Sequence, residues 1–288
     1  MTQGGVSGAG GTNRQRTPSF VQAAMRTFDL SLGQMLWSRR TVFMALVVGA
    51  PVFIAVLYRV LQAWALGSIR VNNVPIGGGT VFGVVIWLLY LRFIVPVLGV
   101  FYGTSLIADE VEDRTITYLF TRPIPRGAVL AGKYLAYLIS TSLVVLPSVV
   151  LVFFLVQSTS FSAVAAGFPA LLVDLGLLGL GLAVYGALFA LIGAWWKHPL
   201  LVGLLFAFGW EQMALLLPGY LRKFTIAYYL QALAPHTMPK DTALSLLQSV
   251  FRDSPGPWAA IGWLVVFLFA FLVLAVAAVE RREYVLEQ

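Results

Sequence analysis

Three ionisable side chains stand inside long apolar segments of this sequence: Arg92, Asp174 and Glu211. A charge in hydrocarbon is costly, so such residues face protein or water and pair with one another. We expect Arg92 to pair with Asp174 or Glu211 in the outer half of a helical bundle. The pattern leaves two roles open, since these residues would either line a path for a substrate or lock helices together.

The sequence offers little else for catalysis or metal binding. It contains no cysteine and two histidines, which excludes disulfides and thiol catalysis and argues against a histidine-rich metal site. Gly127, Gly132 and Lys133 have the spacing of a phosphate-binding loop, but Tyr134 stands where that loop needs Ser or Thr to hold magnesium. The segment also opens an apolar helix and follows no strand. We therefore expect no catalytic residue, nucleotide, metal or cofactor in this chain.

The second candidate site is a charged segment between two apolar ones, residues 109–126. Its acidic residues come first and its basic residues last, the order that the helix dipole favours, and Pro123 with Pro125 ends the helical pattern. We predict a short helix at about 109–122 that lies on the membrane surface and presents an apolar stripe to another protein. The residues assigned to this interface are Glu110, Val111, Glu112, Arg114, Thr115, Tyr118, Leu119, Pro123 and Arg126. A simpler interpretation is a solvated charged loop.

Both candidate sites need a framework of membrane-spanning helices. The chain has 288 residues, of which 59% are hydrophobic and 11% are charged, and its mean hydropathy is +0.87, so lipid must solvate most of its surface. We predict an all-α polytopic membrane protein with six spans. They are placed at about 41–61, 81–107, 129–156, 169–195, 199–217 and 258–279. The net charge of +7 fits loops beside anionic lipid, and we expect no nucleic-acid partner.

Other segments complete the predicted architecture. Residues 1–18 are rich in Gly, Ser and Thr and are expected to form a disordered cytoplasmic tail, which makes 19–288 one transmembrane domain. Residues 19–38 have apolar side chains at helical spacing, which predicts an amphipathic helix at the membrane interface. The loop 218–257 has two short apolar stripes, which predict external helices that dip into the outer face or cap the bundle. Basic residues are about twice as frequent on the N-terminal side of the membrane, so both termini are placed in the cytoplasm.

The segment after the second span resembles the membrane subunit of a type-2 ABC transporter, the permease class of many bacterial ABC exporters. That family has an acidic pair followed by Thr, Leu, Pro, a basic residue and Lys at the junction of spans two and three. The matching positions here are Glu110, Glu112, Thr115, Leu119, Pro123, Arg126 and Lys133. Arg114 stands where the family usually has Gly. The flanking pattern of a surface helix, six spans and external helices extends the resemblance over nearly the whole chain.

The resemblance implies a permease subunit of an exporter in the cytoplasmic (inner) membrane. In such families the segment at 109–122 is the coupling helix, which docks in a groove of a separate ATPase subunit and passes its movement to the spans. ATP and magnesium then bind to the ATPase subunits. The other implied partners are membrane lipid and a second copy of this chain or a sister permease.

Other classes of function remain open from the sequence, including a scaffold that transports nothing. An ion-coupled secondary carrier would use Arg92, Asp174 and Glu211, although no inverted repeat supports it. A membrane-embedded enzyme would need convergent His, Ser or acidic residues at one interface, and only scattered ones exist. Spans rich in Leu, Val, Phe and Gly fit an apolar or amphipathic cargo but do not identify it.

Overall fold

The computed structural model describes residues 19–37, 39–64, 70–71, 74–75, 77–112, 126–157, 160–216, 220–235 and 255–281. The described chain is helical apart from one ribbon of two short antiparallel strands, β1 (Arg70–Val71) and β2 (Val74–Pro75). The helices are α1 (Phe20–Leu36), α2 (Arg39–Trp64), α3 (Gly78–Ala108), α4 (Arg126–Val156), α5 (Phe161–Trp195), α6 (Pro199–Ala214), α7 (Ile226–Leu233) and α8 (Pro257–Arg281). A short 3₁₀ helix, Tyr220–Phe224, precedes α7. The all-α class predicted from the sequence is confirmed.

Among the residues that the structure describes, five helices are long and apolar enough to cross a membrane: α2, α3, α4, α5 and α8. The fifth predicted span, 199–217, coincides with α6, which is apolar but shorter than these. The count of six spans therefore stays a prediction, while the multi-pass architecture is established. The fourth predicted span, 169–195, is only the later part of α5. That helix begins at Phe161 because the Ser160 hydroxyl accepts a hydrogen bond from the Ala163 N–H at 3.4 Å and caps it.

Helix α5 is the packing centre of the bundle. Of its most apolar stretch 72% is buried inside the protein, against 33% for α2 and 17% for α8, so those two helices present most of their apolar surface to lipid or to another subunit. Gly99 and Gly103 bring α3 against α5, because a Cβ at Gly99 would press on the Phe189 ring and a Cβ at Gly103 would press on the Cβ of Phe189. Small residues at this spacing let helices approach closely, and here they pack two helices of the same chain.

Helix α4 runs antiparallel to α3 and lies beside it over much of its length. The rings of Phe82 and Phe153 meet edge to face with centroids 5.3 Å apart. Further along, the hydroxyls of Tyr90 and Ser148 share a hydrogen bond of 2.8 Å. Side-chain hydrogen bonds of this kind add to helix association where lipid supplies no hydrophobic drive.

On its other side, α4 packs closely against α5 through two tyrosines. The Tyr137 hydroxyl donates to the Leu182 carbonyl at 2.9 Å, and the Tyr134 hydroxyl donates to the Ala183 carbonyl at 2.8 Å. The Tyr137 ring lies directly over Gly186, where a Cβ would overlap it. Gly186 therefore admits the ring, and the hydrogen bond holds the ring in place.

Helix α1 packs along α4 and runs parallel to it. Gly132 of α4 faces the backbone of α1 at Ala24 and Phe28. Further along both helices, the Ser140 hydroxyl lies 3.9 Å from the sulfur of Met35. One face of α1 is buried against the bundle, and the opposite face, which carries Phe20, Val21, Met25 and Leu30, is exposed.

Helices α3 and α6 contain stretches of π-helix. They are Val85–Ile94 and Gly99–Gly103 in α3, and Leu205–Trp210 in α6. Pro96 lies between the two stretches of α3 and cannot donate a hydrogen bond to the carbonyl of Arg92, four residues earlier. The hydrogen-bond ladder of α3 is therefore irregular around Arg92, and π-helical turns are frequent at functional sites.

Helix α7 coincides with the first of the short helices predicted in the loop 218–257, and it packs into the bundle. The side chains of Ile226, Tyr228 and Leu230 are 1–2% exposed, and Leu230 packs beside Gly181 of α5. The helix contacts α3, α5 and α8. Helix α7 is therefore part of the buried core. The second predicted external stripe, in 236–254, lies outside the described residues.

Gly186→Ala is expected to destabilise the protein, because the new Cβ overlaps the Tyr137 ring and the ring is fixed by its hydrogen bond to α5. Overpacking of this kind costs about 1–3 kcal/mol. The measurement is the thermal unfolding midpoint of the purified full-length chain in detergent. Gly179→Ala lies in the same helix with open space at its Cβ, so it should leave the midpoint unchanged or slightly higher. Equal midpoints for the two variants would contradict the packing.

The contact between α1 and α4 can be tested by cross-linking, since the chain has no cysteine of its own. We expect a short bismaleimide to bridge the pair Met35→Cys/Ser140→Cys, because the Met35 sulfur lies 3.9 Å from the Ser140 hydroxyl. Adding Gly132→Ala should lower the yield, since its Cβ would overlap the Ala24 backbone. Gly33→Ala, with open space around it, is the control and should leave the yield unchanged. A yield insensitive to Gly132→Ala would mean that α1 does not pack there.

Candidate functional site

The carboxylate of Glu211 is the centre of a buried polar cluster, which we define as Arg92, Tyr185 and Glu211. Glu211 is 2% exposed. Its Oε2 accepts a hydrogen bond from the Tyr185 hydroxyl, and its Oε1 accepts one from the Ile226 N–H at 2.9 Å. Both carboxylate oxygens therefore have donors, as an acid buried away from water requires.

The Ile226 N–H belongs to the first residue of α7, so Glu211 holds this helix by its N-terminus. Thr225 caps the same helix, and its hydroxyl accepts a hydrogen bond from the Tyr228 N–H at 3.4 Å. The positive end of the helix dipole favours a negative group at this position. Glu211 thus closes the turn that brings α7 back into the bundle.

Arg92 lies near Glu211 without a direct hydrogen bond to it in the described structure. Its guanidinium carbon is 5.1 Å from the centroid of the Trp87 ring, within cation–π range. Glu211 and Tyr185 act on it electrostatically. Its Nε is buried and has no hydrogen-bond partner among the described residues. Of the two acids considered from the sequence, the structure brings Glu211 to Arg92.

Asp174 is fully buried in α5 but lies apart from the polar cluster. It precedes Tyr185 by three helical turns, which is about 16 Å at 1.5 Å per residue. Leu171, Leu177 and Leu178 surround its position on the buried face of α5. Asp174 and Arg92 therefore belong to different parts of the bundle.

Tyr185 is a residue of the cluster that sequence reasoning missed. A single tyrosine in an apolar helix gives no sign of a polar role. The available signal is positional, because Asp174, Gly181 and Tyr185 recur at helical spacing and so share one face of α5. A face that carries an acid, a small residue and a hydroxyl indicates contact with other helices, although it does not say with which.

The structure describes the charged segment, residues 109–126, only at 109–112 and at Arg126. Residues 109–112 continue the helix of the second span, whose last part is Ser105–Glu112. The first residues of the predicted surface helix therefore prolong α3 instead of starting a separate helix. Outside the described part of the structure lie the side chains of Glu110, Val111 and Glu112 and the whole of Arg114, Thr115, Tyr118, Leu119 and Pro123.

Arg126 is the last residue of the charged segment and begins α4 at a junction of three helices. Its Nη1 donates to the carbonyl of Glu280, near the end of α8, at 3.4 Å. The next residue, Gly127, faces Val276 of α8 and Phe20 of α1. The start of α4 is therefore in contact with both α1 and α8.

The loop-like spacing of Gly127, Gly132 and Lys133 has an explanation in packing. All three residues lie inside α4, which begins at Arg126. Gly127 faces α8 and α1, and Gly132 faces the backbone of α1. The two glycines thus allow helices to approach closely, and they do not form a loop around a phosphate.

Removing either partner of the Tyr185–Glu211 hydrogen bond is expected to cost about 1–3 kcal/mol, because a buried polar group loses its partner. In a double-mutant cycle of Tyr185→Phe and Glu211→Met, the two losses should couple by about 0.5–3 kcal/mol. The measurement is the unfolding free energy of the four proteins by denaturing-detergent titration in mixed micelles. Tyr90→Phe, which loses its bond to Ser148 elsewhere, should combine additively with Glu211→Met. If the losses of unfolding free energy in the first cycle are simply additive, the hydrogen bond between Tyr185 and Glu211 is refuted.

Comparison with known proteins places the chain in a family. The profile of a family described as "ABC-2 family transporter protein" matches residues 12–284, which is nearly the whole chain. The comparison with curated proteins found no match. The five membrane-length apolar helices agree with a multi-pass membrane component. The chain therefore belongs to the ABC-2 family of transporter proteins and is a membrane subunit of a type-2 ABC transporter.

Proposed function

We propose that this subunit is the permease of an exporter, which moves its substrate across the cytoplasmic membrane with energy from separate ATPase subunits. The observation that carries the proposal is the family match over residues 12–284, because the membrane subunits of this family act with ABC ATPases. The direction of transport rests on the resemblance to exporter permeases. ATP and magnesium are assigned to the ATPase subunits, and this chain is assigned no catalytic residue, metal or cofactor.

The segment at 109–122 is the proposed docking site for the ATPase. It joins the two helices that would carry movement into the membrane, since Ser105–Glu112 extends α3 and Arg126 begins α4. Dimerisation of the ATPase subunits on binding ATP would push on this segment and rock the spans between inward- and outward-open states. The tie between Arg126 and Glu280 supports this route, because it links the start of α4 to α8.

A second transmembrane half completes the pathway in this proposal, either another copy of the chain or a sister permease. The exposed apolar faces of α2 and α8 support it, because only 33% and 17% of their most apolar stretches are buried within the chain. Membrane lipid covers the remainder. Both termini are placed in the cytoplasm, on the side where basic residues are more frequent.

The ATPase partnership is tested by co-purification from native membranes in mild detergent. The variant is Glu112→Arg/Leu119→Asp, which reverses a charge and interrupts the apolar stripe of the predicted coupling helix. We expect an ABC ATPase to co-purify with the wild type and to be lost from the variant, with both proteins monodisperse. Asp29→Arg on the exposed face of α1 makes the same change of charge as Glu112→Arg and should keep the ATPase.

Two results would overturn parts of the proposal. If no ATPase accompanies the wild type, the ABC mechanism fails, and the ion-coupled carrier using Arg92, Asp174 and Glu211 becomes the hypothesis to test. If the ATPase stays with the double variant, the ATPase contact lies outside 109–122.

A further inference from the structure

Gln231 of α7 carries a side-chain amide that the packing of the bundle buries without hydrogen bonds. Its Oε1 and its Nε2 are both buried, and neither has a hydrogen-bond partner among the described residues. An amide offers two donors and one acceptor group, and leaving such a group unpaired away from water is costly. Buried polar side chains are nearly always paired, so this one calls for an explanation.

The burial of this amide follows from the way α7 packs against its neighbours. The Tyr229 ring meets the Phe267 ring of α8 with centroids 5.8 Å apart, and Leu230 lies beside Gly181 of α5. At 3.6 residues per turn, Gln231 points about 160° away from Tyr229 and about 100° away from Leu230. The contacts that dock α7 on α8 and α5 therefore bury the amide on a different face of the helix and give it no partner.

Helix α7 is held in the core mainly at its first residue. It has only eight residues, Ile226–Leu233, and a helix of this length is marginal without tertiary contacts. Burial of its apolar side chains adds little in a membrane, because lipid solvates them almost as well as protein does. The hydrogen bond from the Ile226 N–H to the Glu211 carboxylate, 2.9 Å long, is therefore the specific tie of α7.

We propose that α7 is a two-state element, docked in the core by Glu211 and driven out of it by the unpaired amide of Gln231. In the docked state α7 covers parts of α3, α5 and α8. In the undocked state the amide reaches water, and the covered faces of these helices become accessible. One stabilising and one destabilising polar group bring the two states close in free energy, as a switching element requires.

The inference goes beyond the proposed function, because undocking of α7 needs neither ATP nor a partner subunit. Stability is not uniform across a folded chain, and elements that move have low opening free energies. An unpaired buried amide gives α7 such a low opening free energy. The same amide paired or replaced by an apolar side chain would keep the helix in the core.

The test measures how often α7 leaves the core, and the chain suits it because it has no cysteine of its own. Leu230→Cys places one thiol where the native side chain is 1% exposed, so the thiol reacts only when α7 undocks. The full-length protein in nanodiscs is treated with N-ethylmaleimide at concentrations where the labelling rate is proportional to the reagent. This rate then reports the undocked fraction. Val149→Cys, at a fully buried position of α4, reports unfolding of the whole bundle.

Two substitutions should shift the labelling rate of Leu230→Cys in opposite directions. Gln231→Met keeps the length of the side chain and removes the amide, so labelling should slow at least about fivefold. Glu211→Met removes the acceptor of the Ile226 N–H, so labelling should become at least about fivefold faster. The matched control is Gln62→Met on α2, which makes the same exchange as Gln231→Met and should leave the rate unchanged.

Two results would overturn the proposal. If Gln231→Met leaves the labelling rate unchanged or raises it, the amide does not oppose docking. If Leu230→Cys is labelled no faster than Val149→Cys, α7 leaves the core only when the whole bundle unfolds. Should Glu211→Met fail to purify as a monodisperse protein, Gln231→Met decides the question alone, because it adds no polar group to the core and is expected to fold.

These measurements contain no ATPase, nucleotide or substrate. Their result is therefore independent of the co-purification experiment. Loss of the ATPase partnership would leave the labelling rates unchanged, and equal labelling rates would leave the partnership unchanged. Failure of the ABC mechanism can thus be told apart from failure of the two-state behaviour of α7.

Discussion

Burial of one carboxylate determines how the chain after α6 returns to the core. An acid without hydrogen-bond donors in an apolar interior would be very costly, and Glu211 obtains them from the Ile226 N–H and the Tyr185 hydroxyl. The first donor belongs to α7 and the second to α5. Three helices with largely apolar surfaces are thereby held in one arrangement. A fully satisfied polar network of this kind specifies a single packing, which interchangeable Leu and Val contacts do not do.

The other contacts between helices are explained by the lipid that surrounds them. Lipid solvates apolar side chains as well as protein does, so helices associate through close contact and through hydrogen bonds. Gly99 and Gly103 bring α3 onto α5, and Gly186 admits the Tyr137 ring. The Tyr137 hydroxyl then bonds a backbone carbonyl of α5. Helix α5 is the most buried span because three neighbours meet it through small residues or polar groups.

The apolar runs were sufficient to predict the all-α class and the approximate positions of the five long apolar helices, because length and hydropathy alone decide which segments can cross lipid. They do not specify contacts between distant segments. The amphipathic pattern of α1 shows that one face must be covered, but Gly132, which receives that face, is recognisable only in the structure. From the sequence, Asp174 and Glu211 are equivalent acids in apolar runs. In the structure, Asp174 and Glu211 differ in their position in the bundle and in their neighbours. The polar role of Tyr185 and the π-helical stretches also depend on the three-dimensional packing, which the sequence pattern does not show.

Helix α3 carries Arg92 of the buried polar cluster and leads into the charged segment at residue 109. The shape of this helix therefore limits how a movement at one of these sites can reach the other. Arg92 and residue 109 are about 25 Å apart along the helix at 1.5 Å per residue. Pro96 and the π-helical stretch Gly99–Gly103 lie between them, and a helix bends where its hydrogen-bond ladder is interrupted. A push on the end of α3 would therefore be absorbed near Gly99–Gly103 unless a neighbouring helix opposes it. Phe189 of α5 stands against both glycines, so α3 cannot bend toward α5, and the displacement is directed to the side of α3 away from α5.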